Sequence, residues 1–291
     1  MENSVFLMGH ASDNCLGTGV TVILAPEGAV AGVSVRGAAP GTRETDLLKP
    51  MNTVQKANAI VLSGGSAFGL ESCSGVMQYL YEQGCGFLAG DFIVPIVAGA
   101  VLFDLSYKEF AFPDKKMGYE AAQNAAPLAE CFGSVGAGTG ATIGKILGPK
   151  WSSKGGLGCF TIHLGDAWLM AVTAVNAIGD VVDNGVRVAG IKHEKTVMQL
   201  LLDQTPARDL AGQNTTIGCV LTNVTLSKEE INKLADIAHD GLALAIQPVH
   251  TMSDGDTMFA MSSAEVSIDF LSLQAACVEA VRRSVISSVN H

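Results

Sequence analysis

Thr215 stands where a polar stretch that begins near Gly179 gives way abruptly to the apolar run 216–222. A hydroxyl at that junction can attack the carbonyl of Asn214 before it, and a cut there leaves Thr215 as a new chain terminus. A terminal threonine is a nucleophile with its own base, because its α-amine, with a pKa of about 7.7 to 8.0, can take the hydroxyl proton near neutral pH. No separate histidine is then required. The bland alternative is a pair of strand-entry threonines, which describes most Asn-Thr dipeptides.

Asp254 and Asp256 flank Gly255 in His-Thr-Met-Ser-Asp-Gly-Asp-Thr, residues 250–257. Carboxylates two positions apart on extended chain point the same way and could hold an ammonium, although a solvated Asp-Gly turn gives the same pattern. An EF-hand calcium loop needs further oxygen ligands and a glutamate at fixed spacing that are missing here. Residues 136–145, rich in glycine and ending in Lys145, miss the phosphate-loop pattern, since Thr139 falls on its first glycine and Ile146 on its hydroxyl position. Backbone N–H groups of such a stretch, with Gly138 and Gly140, can equally line an oxyanion or substrate pocket. Ser66, in Gly-Gly-Ser-Ala-Phe-Gly, has the wrong frame for a hydrolase elbow and reads as a helix cap.

The elements that must position these groups can be read from periodicity. Residues 18–25 and 30–36 are β-branched runs around Pro26-Glu27-Gly28, which predicts a hairpin. Residues 59–62 predict a strand that turns at Gly64-Gly65 into a helix ending at Gly84, 92–97 and 100–105 read as strands, and 116–129 as a helix. Residues 157–164 and 167–175 form a second hairpin across Gly165-Asp166. From 179 to 214 the spacing predicts a long loop with at most one helix, over 193–202. The run 216–222 is a strand, Ser227 and Glu230 form a capping box ahead of an apolar stripe from Ile231 to Leu242, and 270–288 is a last helix. Sheets covered by helices follow, hence an α+β fold.

With 291 residues, 48% of them apolar and only 16% charged, and a mean hydropathy of +0.33, the chain can build one large domain, and a homo-oligomer is expected. A net charge of −10 with no basic cluster argues against nucleic acid and anionic membrane partners. The absence of a basic, apolar leader or a span-length apolar run predicts a cytoplasmic protein. Seven cysteines without a CxxC pair fit buried thiols rather than disulfides, and no clustered His and Cys set suggests a metal.

Five ordered stretches together resemble the L-aminopeptidase/D-amino-acid esterase family, which includes β-peptidyl aminopeptidases and nylon-oligomer hydrolases. They are Gly37-Ala-Ala-Pro-Gly-Thr-Arg-Glu-Thr-Asp-Leu-Leu, Leu62-Ser-Gly-Gly-Ser-Ala-Phe-Gly-Leu, Asn214-Thr-Thr-Ile-Gly, Ala238-His-Asp-Gly-Leu and Pro248-Val-His-Thr-Met-Ser-Asp-Gly-Asp. The resemblance implies an αββα sandwich of the N-terminal-nucleophile type, made as a precursor that cuts itself into residues 1–214 and 215–291. It implies Thr215 as nucleophile, Asn176 as an oxyanion donor, Asp254 and Asp256 beside the nucleophile and its amine, and Lys145 near the site, with Lys154 as second candidate. Gly138, Gly140 and Lys154 would line the substrate site. Serine-type members carry serine in place of Thr215 and an oxyanion tyrosine without a clear counterpart near Phe103, so β-peptide specificity does not carry over, and the two acidic residues Asp254 and Asp256 favour the threonine-type branch, which includes amide-oligomer hydrolases. The activity implied is hydrolysis of amino-terminal amides or esters of small substrates, with no cofactor. Alternatives are an acyltransferase of the ornithine-acetyltransferase type and an unprocessed ligand-binding homologue.

Overall fold

A computed structural model describes residues 5–206 and 212–290. One continuous hydrogen-bonded sheet folds back on itself along a single bent strand. That strand, β2 (Thr18–Val35), pairs through its first half with β1 (Leu7–Asp13) on one side and β3 (Lys56–Ser63) on the other. Beyond β3 comes β4 (Val97–Val101), which runs parallel to it. The second half of β2 pairs with β10 (Thr257–Val266), and the sheet continues through β9 (Thr215–Val224), β6 (Ala167–Asn176) and β5 (Gly156–Leu164).

The hairpin expected across Pro26-Glu27-Gly28 is therefore absent. The two halves of β2 find other partners instead of each other, and the register shifts between Leu24 and Ala29, where Gly28 takes φ 74°. Pro26 has no N–H to give and Gly28 adopts a left-handed backbone, which suits a bulge as well as a turn.

Strand alternation explains the layers. On the inner faces, Ile23, Ile60, Leu62, Ala98 and Ala100 of one half pack against Met170, Val172, Ala174, Ile217, Cys219, Leu221, Phe259 and Met261 of the other. The outer face of the first half, with Val20, Val22, Ala59 and Val61, buries α1 (Ser72–Glu82) and α2 (Lys115–Gln123). That of the second half, with Leu169, Ala171, Val220 and Ala260, buries α4 (Lys228–Ala245) and α5 (Phe270–Ser287). The result is the expected αββα sandwich. Every residue of β9 is buried, as a strand enclosed on both faces must be. The capping box at Ser227 and Glu230 is present, and Ile231, Leu234, Ala235, Ala238 and Leu242 are fully buried on the stripe it starts. Truncating Leu234 or Leu242 to alanine would cost about 2 to 5 kcal/mol.

Other boundaries move. The expected strand at 92–97 splits at Pro95 into Phe92–Val94 and β4, and the helix expected at 116–129 ends at Gln123. Ser66 is not a cap. It starts a short 3-10 helix at φ 51°, after Gly65, with no side-chain capping bond. Residues 136–138 make one 3-10 turn and open no α-helix, so a phosphate loop has no framework. The expected loop at 179–214 contains a hairpin, β7 (Asp180–Asp183) and β8 (Val186–Ala189), before α3 (Val197–Leu202). Asn184 and Gly185, at φ 49° and 79°, make the positive-φ turn that Asn-Gly favours. Among the described residues no helix is long and apolar enough to cross a membrane.

Candidate active site

Period-2 alternation carries the inner-face rows Met170-Val172-Ala174 and Ile217-Cys219-Leu221 on to Asn176 and Thr215, which stand opposite each other in the β6–β9 register. Both therefore lie at one end of the cleft between the sheets. Thr215 is buried, only 4% exposed. Its Oγ1 donates a short hydrogen bond to the carbonyl of Asn214, and the N–H of Gly255 donates to the same oxygen at 2.9 Å.

The residue before, Gln213, presents its carbonyl to a cradle. Lys145 Nζ donates to it at 2.9 Å and Asn176 Nδ2 reaches it at 3.4 Å. Lys145 also donates to the Asn176 carbonyl at 3.0 Å and to Asn176 Oδ1 at 2.9 Å, so three oxygens match the three donors of an ammonium. Asn176 Nδ2 bonds the Phe103 carbonyl at 2.9 Å, which ties it to the opposite sheet just past β4.

Asp254 and Asp256 are both 1% exposed, which rules out a solvated turn. Asp256 Oδ1 accepts the N–H of Thr216 at 2.6 Å, fixing the start of β9 at Thr215, and its Oδ2 accepts from the N–H and Nδ1 of His250 at 3.0 and 2.8 Å. Asp254 Oδ2 accepts from the N–H and hydroxyl of Thr251, both at 2.7 Å. Burial and the adjacent Asp256 charge push the Asp254 carboxyl above the usual carboxylate range. The loop at the first of the five ordered stretches clasps this segment: the backbone N–H groups of Arg36 and Gly37 donate to the Asp256 carbonyl, and that of Ala39 to the Asp254 carbonyl. A Cβ on Gly37 would lie 2.2 Å from the Asp256 nitrogen, so only glycine fits there.

Beside Gln213 opens a cavity of about 580 Å³ lined by Asp104, Tyr107, Gly140, Lys145, Lys154 and Lys192, among others. Lys154 is engaged elsewhere than Asn176: its Nζ donates to the carbonyls of Gly138, Ala141 and Gly155, bracing the glycine-rich segment. Gly138 is buried, and its contribution is that carbonyl. Asp104, which the motifs did not single out, is buried and accepts the Gly65 N–H at 2.7 Å and the Thr18 hydroxyl at 2.9 Å. Burial pushes its carboxyl up to about 6. A Cβ on Gly64 would meet Asp104 Oδ2 at 2.2 Å, so the Gly64-Gly65 pair of the second ordered stretch seats Asp104 rather than exposing Ser66. Tyr107, four residues past Phe103, is a second wall residue that the sequence alone did not mark.

Burial pushes the Lys145 ammonium from an ordinary 10.5 down to about 7, against the pull of Asp254 and Asp104. Its folded pKa lies below its unfolded one, so the penalty is complete below about pH 7 and fades as pH rises towards 10.5. Relative to Lys145→Met, the wild type should therefore gain stability between pH 6 and 9. Thermal unfolding of the two proteins at both pH values checks this; a constant difference would show that Lys145 does not lose its proton more readily when folded.

The sequence model of peptidase family S58 matches residues 5–291. The chain belongs to that family. It is 42% identical over 270 residues to an uncharacterised aminopeptidase of Mycobacterium leprae, with 85% of this chain and 71% of the relative covered. It is 34% identical over 262 residues to a 6-aminohexanoate-oligomer endohydrolase of Paenarthrobacter ureafaciens, covering 86% and 71%. Among solved structures, the L-aminopeptidase D-Ala-esterase/amidase of Ochrobactrum anthropi matches with a TM-score of 0.72 at 18% identity, over 98% of this chain and 83% of that one. That structure is described as a variant of the Ntn hydrolase fold, so the S58 chain has the fold its sequence led us to expect. Its family and relatives make it an amide-bond hydrolase.

Proposed function

We propose that this S58 protein cuts itself between Asn214 and Thr215, then uses the freed Thr215 to hydrolyse amino-terminal amide or ester bonds of small substrates. The observation that carries this reading is the hydroxyl of Thr215 bonded to the Asn214 carbonyl, with the Gly255 N–H trained on the same oxygen. Thr215 Oγ attacks the Asn214 carbonyl carbon, the oxyanion forms facing Gly255, and the C–N bond breaks to give an ester and a free Thr215 amine. Water then hydrolyses the ester, leaving Asn214 as a carboxylate.

In turnover the Thr215 amine serves as base and its hydroxyl forms the acyl-enzyme. Departure of Gln213 vacates the Lys145–Asn176 cradle beside the cavity, and a substrate carbonyl takes its place there. The Gly255 N–H, which holds the Asn214 oxygen, and Asn176 Nδ2, released from the Gln213 oxygen, are the donors we assign to the oxyanion, each such donor being worth about 2.7 to 4 kcal/mol of barrier. Asp254 and Asp256 orient the Thr215 amine or a substrate ammonium. Nothing in the route calls for a metal or organic cofactor. The reading includes a homo-oligomer of processed units, for which the exposed cross-strand pair Leu88 and Ile93 offers an apolar contact to bury.

The processed protein should release amine from amino-acid amides and esters with a free amino terminus, and from short amide oligomers such as those named for the Paenarthrobacter relative. Substrates with a blocked amino terminus should be poor. Added amine acceptors should divert little product. Capture of the acyl group by an amine faster than by water would make the native reaction transfer rather than hydrolysis.

A further inference from the structure

Two thiols meet in a part of the molecule that the mechanism does not use. Gly133 and Leu157 of β5 exchange both backbone hydrogen bonds, at 2.8 and 2.9 Å. Two residues further along the same antiparallel register Cys131 faces Cys159, and their Sγ atoms are 3.4 Å apart. Strands β1 and β2 add a third group, because His10 and Thr21 are directly opposed. Thr21 Oγ1 accepts the Ala137 N–H at 3.1 Å and lies 3.0 Å from His10 Nδ1, while His10 Nε2 lies 3.5 Å from Cys131 Sγ. A thiol, an imidazole and a hydroxyl that orients the ring thus stand in sequence, the arrangement that activates a nucleophile. Cys131 is half-buried and Cys159 buried, so Cys131 is the more accessible residue of the pair.

We propose that Cys131 and Cys159 are a peroxide-oxidisable dithiol, with Cys131 attacking and Cys159 resolving. The hydrogen bond from Cys159 holds the Cys131 thiol below its ordinary range, against burial and the Glu130 charge, and His10 adds to the effect. The same contact, with burial, pushes the Cys159 thiol up. The Cys131 thiolate attacks one oxygen of a hydroperoxide, forming S–O as O–O breaks, and the leaving hydroxide or alkoxide takes a proton. The Cys159 sulfur then attacks the Cys131 sulfur; S–S forms, S–O breaks and water leaves. Two thiols are oxidised by two electrons and the peroxide is reduced. Closing the sulfurs from 3.4 Å to a bond of about 2.05 Å needs only a small shift. The new bond would tie the segment that feeds the glycine-rich cavity wall to β5.

The test is hydrogen peroxide added to the protein carrying Cys15→Ser and Cys85→Ser, which removes the other exposed or half-buried thiols. Alkylation and peptide mapping should find Cys131 linked to Cys159, with loss of two hydrogens from the intact mass. Cys159→Ser should stop at a sulfenic acid on Cys131 that dimedone captures. His10→Ala should slow peroxide uptake at Cys131 at least about tenfold. Peptide mapping of treated wild type gives the same linkage independently of any variant's folding. Cys131 left reduced, oxidised without a link to Cys159, or oxidised at an unchanged rate in His10→Ala would overturn the assignment.

Discussion

Gly255→Ala is expected to remain one uncut chain, its self-cleavage slowed by at least about a hundredfold, the cost of misplacing an oxyanion donor. A Cβ at this position would lie 2.8 Å from Thr215 Oγ1 and 2.6 Å from the Ala39 carbonyl oxygen. Neither neighbour can yield freely, since Ala39 is pinned by its N–H bond to the Asp254 carbonyl and the Thr215 hydroxyl is aimed at Asn214. The backbone of 254–256 must shift, taking the Gly255 N–H with it, or the hydroxyl must rotate away. Overpacking of this kind costs about 1 to 3 kcal/mol of stability, so the variant should still fold. Denaturing gels over days, beside circular dichroism of the same sample, check both halves of the prediction. Normal cleavage in a folded Gly255→Ala protein would remove Gly255 from the mechanism.

Asp256→Asn should slow both self-cleavage and turnover by roughly ten- to a hundredfold, the scale expected when a reacting group is displaced by about an ångström. Each carboxylate oxygen accepts from an N–H, Oδ1 from Thr216 and Oδ2 from the backbone and ring of His250. An amide turns one of those oxygens into a donor facing a donor. If its nitrogen meets Thr216, the first residues of β9 move and the Thr215 hydroxyl leaves its carbonyl. Time courses of chain cleavage, with steady-state rates on a free-amino-terminus amide, measure the two effects separately. Unchanged values in both would remove Asp256 from the site.

The layers of the fold were legible because burial leaves a pattern in the sequence: the apolar stripe of α4 and the continuous apolar runs of β6 and β9 mark side chains that must face a core, and Gly165-Asp166 marks the turn between β5 and β6. What misled was local chemistry shared by two outcomes. Pro26-Glu27-Gly28 serves a bulge as readily as a hairpin, and the choice lay with distant partners in β3 and β10. Residues 180–189 carried an Asn-Gly turn signal, but strands of four residues are too short for alternation to stand out. At the site, residue types and spacing pointed to Thr215, Asp254 and Asp256, the family resemblance added Asn176 and Lys145, and the fold brings all five to one end of the inter-sheet cleft. The choice between Lys145 and Lys154 depended on which amine reaches Asn176, a matter of loop path. Asp104, Tyr107 and the Gly255 N–H were hidden because a lone aspartate, a lone tyrosine and a backbone donor leave no pattern; the glycines that make room for Asp104 and Asp256 were visible only as members of the ordered stretches.

The most direct measurement is the intact mass of denatured, purified wild-type protein beside that of Thr215→Ala. The account predicts two chains in the wild type, one ending at Asn214 and one beginning at Thr215, and a single uncut chain in the variant. A wild type that stays uncut after prolonged incubation, or a variant that is cut at the same bond, would contradict it.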